Sequence, residues 1–188
     1  LSEIIFLDRD RVEVKFLNKM KESSKPSNIE LAICLVKKNP MEIILQKATE
    51  LGVSRITPII SERTEVKELN YERAQKIVIE ATEQSNQLNP PEVTKVIKLK
   101  DFLEKLDSGS KFLFADVNSQ NNLQKKDVDG DTLKTILIGP EGDFSPGERE
   151  SILARANTTS FSISKNILRS DTAVISAISL VNFINNLH

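Results

Sequence analysis

From Ile29 onward, short apolar runs alternate with longer amphipathic stretches. Nothing else in the sequence restricts the fold as much. Residues 29–36 are apolar except for Glu30 and the closing stretch is followed by lysines, the pattern of a strand covered on both faces. In Asn39-Pro40-Met41-Glu42 the asparagine is placed to cap a helix, the proline to take its first position and the glutamate its third. Met41, Ile44, Leu45, Ala48 and Leu51 recur at helical spacing until Gly52 stops the run. A strand over 55–60 follows, then a long amphipathic helix from 71 to about 87 and a short one over 100–106. Strands are predicted over 111–117 and 132–138, with the polar stretch 118–131 between them read as a surface loop. Ser145-Pro146-Gly147-Glu148 repeats the cap, proline and third-position glutamate, opening a helix to about 156. A strand over 158–163 and a helix over 171–187 complete the series. This order predicts an α/β fold with a mostly parallel sheet flanked by helices. Two short strands, 4–7 and 12–17, precede it, and a polar stretch over 18–28 sets an expected boundary near Pro26, separating 1–26 from 27–188.

Charge and composition exclude several kinds of chemistry. Lys and Arg number 26 against 27 Asp and Glu, a net charge of −1, so bulk attraction to nucleic acid or anionic lipid is absent. RNA binding then requires a local patch. The single histidine, His188, is the last residue of the sequence, which argues against histidine-based acid–base catalysis and histidine-rich metal sites. Cys34 stands alone, so no internal disulfide and no thiol cluster for a metal is expected. No apolar run approaches the ~20 residues of a membrane span, and Leu1-Ser2-Glu3 lacks the layout of a signal peptide. A cytoplasmic protein without metal or membrane is the expectation.

In a parallel sheet the ligand lies beyond the carboxyl ends of the strands. Two segments stand out there. Gly139-Pro140-Glu141-Gly142-Asp143 lies between a strand and a capped helix, and its glycines let a ligand approach the backbone. It is neither a phosphate-cradling Gly-x-x-x-x-Gly-Lys nor a Gly-x-Gly-x-x-Gly fingerprint. Ser164 to Ala173 sets Arg169 between apolar residues and a Ser-Asp-Thr helix start, a fixed cation beside hydroxyl and carboxylate groups. Lys37, Lys38, Arg63 and Lys67 form a possible basic patch, while Glu80, Glu83, Gln84 and the Lys47/Glu50 pair read first as solvated helix faces.

Five blocks in order carry a resemblance: residues 45–53, Ser61-Glu62-Arg63, residues 75–85, Gly139-Pro140-Glu141-Gly142 and Ile167-Leu168-Arg169-Ser170-Asp171-Thr172-Ala173. From about Ile29 to the end, the sequence resembles the bacterial 16S ribosomal RNA uridine-N3 methyltransferases, the RsmE family of the SPOUT superfamily. The resemblance implies a deep trefoil knot in the last third of the chain, a homodimer and S-adenosylmethionine as methyl donor. The implied target is N3 of a uridine in 16S ribosomal RNA of the small ribosomal subunit, position 1498 in the usual numbering. Family members carry an N-terminal PUA-like β-barrel that helps hold RNA, and residues 1–26 are expected to be its tail.

Carried onto this sequence, the family's motifs imply catalytic candidates Arg169, Glu141 and Asp171. Arg169 is to stabilise charge developing on the base, and a carboxylate to manage the N3 proton. The implied cofactor residues are Leu137, Ile138, Gly139, Pro140, Glu141, Gly142, Ile163, Ser164, Ile167, Leu168 and Thr172. Lys47, Arg63 and Gln84 are the candidate RNA contacts. The family usually has glycine at Asp143 and Ser164, Gly-Arg at Asn86-Gln87, a basic residue near Pro40 and Thr-Glu at Ser170-Asp171. The rival reading is a catalytically inactive knotted RNA-binding or ribosome-assembly protein. The C-terminal helix, with Ala173, Val174, Ala177, Ile178, Val181 and Ile184 on one stripe, is the expected dimer surface.

Overall fold

The computed structural model describes residues 1–18 and 27–186. The expected boundary at Pro26, the last helical residue Leu187 and His188 lie outside them. At the front, β1 (Ser2–Leu7) and β2 (Val12–Phe16) form an antiparallel hairpin closed by the Asp8 N–H on the Arg11 carbonyl at 2.8 Å. Its apolar side chains are exposed on both faces, Phe16 at 85% and Leu7 at 70%.

The rest is a parallel sheet between two layers of helices. Its elements are β3 (Ile29–Cys34), α1 (Lys38–Glu50), β4 (Arg55–Ile60), α2 (Tyr71–Gln84), β5 (Glu92–Val93), β6 (Ile97–Lys98) and α3 (Leu99–Lys105). They continue with β7 (Lys111–Ala115), α4 (Lys125–Val128), β8 (Lys134–Ile138), α5 (Pro146–Leu153), β9 (Thr158–Phe161) and α6 (Ser170–Asn185). Strands run in the order β5-β4-β3-β8-β7-β9, and β6 also pairs with β4. All these pairings are parallel, with Leu31 opposite Ile56 on one side and Ile136 on the other.

Alternation along each strand sorts the core. Leu31, Ile33, Ile136, Ile138 and Leu113 pack with α1, α2 and α6, while Ala32, Cys34, Leu137, Phe112 and Phe114 pack with α3 and α5. That double covering is why the β3 run is apolar almost throughout. On α6, Val174, Ala177, Ile178 and Val181 are fully buried against this core. The stripe expected to form a dimer surface is therefore consumed within the protomer, each large side chain contributing roughly 1.5–3 kcal/mol. Phe183 is the large apolar side chain α6 leaves exposed, at 65%.

Local signals differ from expectation at three other places. Helix α1 begins at Lys38 with Lys37 as its cap residue, so Asn39 does not cap and Pro40 sits third. Proline is tolerated there because first-turn N–H groups have no partner inside the helix. Helix α2 stops at Gln84, because Asn86 turns left-handed at φ 54° and Gln87 N–H bonds back to the Thr82 carbonyl at 3.0 Å. The stretch 118–131 is no plain surface loop: Leu123 and Val128 anchor it in the core, and the Gln124 N–H donates to Asp127 at the start of α4. The cap of α5 forms as expected, Ser145 Oγ accepting the Glu148 N–H at 3.3 Å and Glu148 accepting the Ser145 N–H at 3.1 Å.

Candidate functional site

The strand order brings the carboxyl ends of β8, β7 and β9 side by side, so the loops that leave them converge. Between these loops lies a cleft of about 360 Å³, within the range of small-molecule sites. The β7 loop contributes Ala115, Asp116 and Val117; the β8 loop, Ile138 to Asp143; the β9 loop and the start of α6, Ile163, Ser164, Asn166, Ile167, Leu168, Ser170 and Ala173.

Each loop is tied down. The turn after β8 closes with the Asp143 N–H on the Pro140 carbonyl at 3.0 Å, and Asp143 itself is left-handed at φ 60°. Asn86 and Asp143, the left-handed non-glycine residues among those described, stand where the family resembled above carries glycine. Asparagine and aspartate are the side chains that best tolerate that conformation. A Cβ on Gly139 would meet the Phe144 ring at 3.0 Å, so any larger residue there would have to push that ring aside. Arg63 Nη1 holds the Gly142 carbonyl at 2.9 Å, and the Glu62 N–H donates to Glu148 at 2.8 Å, fastening the β4 loop to the β8 loop and to the start of α5. The β7 and β9 loops are joined by the Ser162 N–H on the Asn121 carbonyl at 2.9 Å.

The electrostatics are dominated by one ion pair. Asp116 is buried, and its carboxylate accepts Arg149 Nη2 at 2.6 Å and the Asn118 N–H at 2.9 Å. Its hydrogen bond raises the Arg149 pKa above the usual guanidinium value. Among the described residues, the backbone N–H groups of Glu141, Gly142, Ile167 and Leu168 meet no acceptor within the chain. These residues line the cleft together with the apolar Ile138 and Ile163.

A family model described as an RNA methyltransferase domain matches residues 22–182. The ribosomal RNA small subunit methyltransferase E of Rickettsia conorii is 32% identical over 195 residues, covering 99% of this chain and 77% of that protein. The chain belongs to the ribosomal RNA small subunit methyltransferase E family. The enzyme of that name from Neisseria gonorrhoeae, solved bound to S-adenosylmethionine, superposes with a TM-score of 0.87 at 30% identity, covering 98% of this chain and 78% of that one. A probable rRNA methyltransferase from Porphyromonas gingivalis gives 0.88 at 28% identity, covering 98% and 79%.

Of the cofactor residues implied by the family, Ile138 to Gly142, Ile163, Ser164, Ile167 and Leu168 line the cleft. Leu137 instead faces the α3/α5 core, and Thr172 is exposed on the first turn of α6 outside the lining. Arg169 precedes α6 as its cap residue, exposed, between Leu168 and Ser170 of the lining; its guanidinium makes no ion pair or hydrogen bond among the described residues. Glu141 lines the cleft and is exposed. Asp171 is occupied locally, Oδ1 accepting the Thr172 N–H at 2.8 Å.

The candidate RNA contacts are dispersed. Lys47 is paired with Glu50 at 2.8 Å on α1, Gln84 borders a groove between α1 and α2, and Arg63 stands beside the β8 loop. Gln87, where the family has arginine, donates its amide to the Thr49 carbonyl at 2.6 Å, tying the ends of α1 and α2 together. Outside the two segments singled out from sequence, the cleft adds Ala115, Asp116 and Val117, which sequence reasoning missed. The rule that loops after parallel strands line the site points to this loop, though not to which of its residues matters.

Proposed function

We propose that this chain transfers the methyl group of S-adenosylmethionine to N3 of a uridine in 16S ribosomal RNA, position 1498 in the usual numbering. The observation that carries the reading is the convergence of the β7, β8 and β9 loops on one cleft, in a chain of this family. The cleft suits the donor: apolar residues for an adenine, a glycine-containing loop that lets a ligand approach the backbone, and carboxylates for a cationic sulfur. When bound, S-adenosylmethionine supplies an electrophilic methyl.

The protein must then hold the base in line and favour its anion, because neutral uridine N3 is a poor nucleophile. Arg169 has an uncommitted guanidinium at the edge of the cleft, suited to stabilise negative charge developing on O2 or O4 of the base. Glu141 is the exposed cleft carboxylate for the N3 proton; Asp171, engaged with its own helix, ranks behind it. Arg63, Lys47 and Gln84 serve the RNA, with residues 1–26 as part of a PUA-like barrel.

The reading includes a homodimer acting in the cytoplasm and a trefoil knot in the last third of the chain. Supporting the knot, β8 lies between β3 and β7, and the chain leaving β9 runs past the β7 loop before α6 packs on α1. Among the described residues no helix is long and apolar enough to cross a membrane.

The test is methyl transfer from labelled S-adenosylmethionine to small ribosomal subunits from cells lacking this enzyme, with the product mapped by mass spectrometry. A single N3-methyluridine is expected. Cofactor binding without any methyl incorporation would favour the inactive RNA-binding reading instead.

A further inference from the structure

Asp143 keeps a backbone conformation in which a Cβ is crowded and glycine fits without strain, at φ 60°. Its carboxylate is nevertheless fixed. Oδ1 accepts the Phe144 N–H at 2.7 Å, and Oδ2 accepts the Asn118 side-chain amide at 3.3 Å, from the loop after β7. The residue lines the cleft. Backbone strain retained at a cleft wall, with the side chain held from two directions, is a pattern associated with ligand-contacting positions.

The charges around the cleft indicate the kind of ligand. Asp116, Glu141 and Asp143 line it, and no lysine or arginine does. Arg149 neutralises Asp116 at 2.6 Å. Neither Glu141 nor Asp143 forms an ion pair among the described residues. Lys165 and Arg169 flank lining residues but are exposed and outside the lining, and Arg63 and Arg149 line the adjacent groove that shares Asp143, where one holds the Gly142 carbonyl and the other Asp116 while also feeling the Asp143 charge. The lining itself thus carries net negative charge, which favours a cation over a neutral molecule of the same shape.

We propose that Asp143 is a specificity-determining residue that favours the sulfonium donor S-adenosylmethionine over its neutral thioether product, S-adenosylhomocysteine. The proposal rests on the methyl-donor reading above. The two molecules share their adenosine and amino-acid parts and differ by one methyl and one positive charge at sulfur. A fixed carboxylate separates them by charge, so the donor is retained and the spent molecule competes less.

Calorimetric titration of both molecules tests this, using the wild-type chain, Asp143→Asn and Asp143→Gly at low and high salt. Asparagine keeps the shape and the Oδ1 acceptor and tolerates the left-handed backbone, and glycine removes the strain, so both variants are expected to fold. For Asp143→Asn, donor affinity is expected to fall about five- to tenfold, the ~1 kcal/mol that a unit charge contributes in a largely solvated setting. Affinity for the thioether is expected to change less than about twofold. The wild-type preference for the donor should also shrink as salt rises. Equal weakening of both ligands, or no change in either, would overturn the assignment. Wild-type protein that binds both molecules with no charge-dependent difference rejects the role of Asp143 alone; wild-type protein that binds neither rejects the methyl-donor reading with it.

Discussion

Replacing Arg149 by methionine keeps most of the alkyl stem but strips Asp116 of its counter-charge. The Asp116 carboxylate is fully buried, whereas the Arg149 side chain is 34% exposed, and the two meet at 2.6 Å. Losing one partner of a fully buried pair costs about 3–5 kcal/mol, and losing an exposed pair about 0–1 kcal/mol. With one end partly solvated, and the Asn118 N–H still on Asp116 at 2.9 Å, an intermediate cost of about 2 kcal/mol follows. For a domain of this size that is a fall in Tm of roughly 4–8 °C. Urea denaturation of Arg149→Met, Asp116→Asn and the double variant forms a cycle in which the coupling should be about 1–3 kcal/mol. Because Asp116 also lines the cleft, cofactor affinity should weaken in step with stability. A loss below about 0.5 kcal/mol for Arg149→Met, or zero coupling in the cycle, would show that the pair does not hold the β7 loop on α5.

Arg169→Ala should reduce methyl transfer at least ~100-fold while cofactor affinity stays within about twofold, since a lost transition-state charge partner costs ~2.7–4 kcal/mol; near-normal single-turnover rates would remove its role. Gly139→Ala forces a Cβ to 3.0 Å from the buried Phe144 ring, itself edge-on to Phe114 at 5.6 Å; a loss of about 1–3 kcal/mol in chemical denaturation is expected. Burial pushes the Cys34 thiol from 9.0 up to about 12, against the opposing effect of the Ser61 and Thr64 hydroxyls. The unfolded chain then loses this proton first, so the thiol's contribution is intact below pH ~9 and declines by about 1.4 kcal/mol per pH unit from there to ~12. Urea melts of wild type and Cys34→Ala across pH 8–11 should converge accordingly, with a pH-independent difference counting against the buried protonated thiol.

Some of this architecture is plain in the residues and some is not. The β3 run and the Ser145-Pro146-Gly147-Glu148 cap were legible because each depends on neighbours in sequence: two-sided burial removes polar residues, and capping needs a fixed spacing. The Gly139 to Gly142 loop was legible for the same reason. Asp116 was not, because a lone aspartate after a strand carries no local mark; its importance arises when the sheet order sets β7 beside β8 and α5 supplies Arg149. The α6 stripe was visible, but whether it meets a second chain or its own α1 is a tertiary fact, and here the core takes it. Asn39 shows the remaining limit, since the helix starts at Lys38, before this good capping residue, with Lys37 in the cap position.

The place of β3 in the sheet has a consequence for how the molecule comes into being. It pairs with β4 soon after both leave the ribosome, but its other edge waits for β8, about a hundred residues later in the chain. At ordinary translation speeds of ~5–20 residues per second, that edge stays open for roughly 5–20 seconds. An open edge whose strand carries Glu30 as its one charge among Leu31, Ala32 and Ile33 is a template for pairing with another nascent chain. Productive synthesis therefore depends on shielding this one strand until the C-terminal half arrives, and the yield of native protein should be most sensitive to crowding and chaperone supply during that interval.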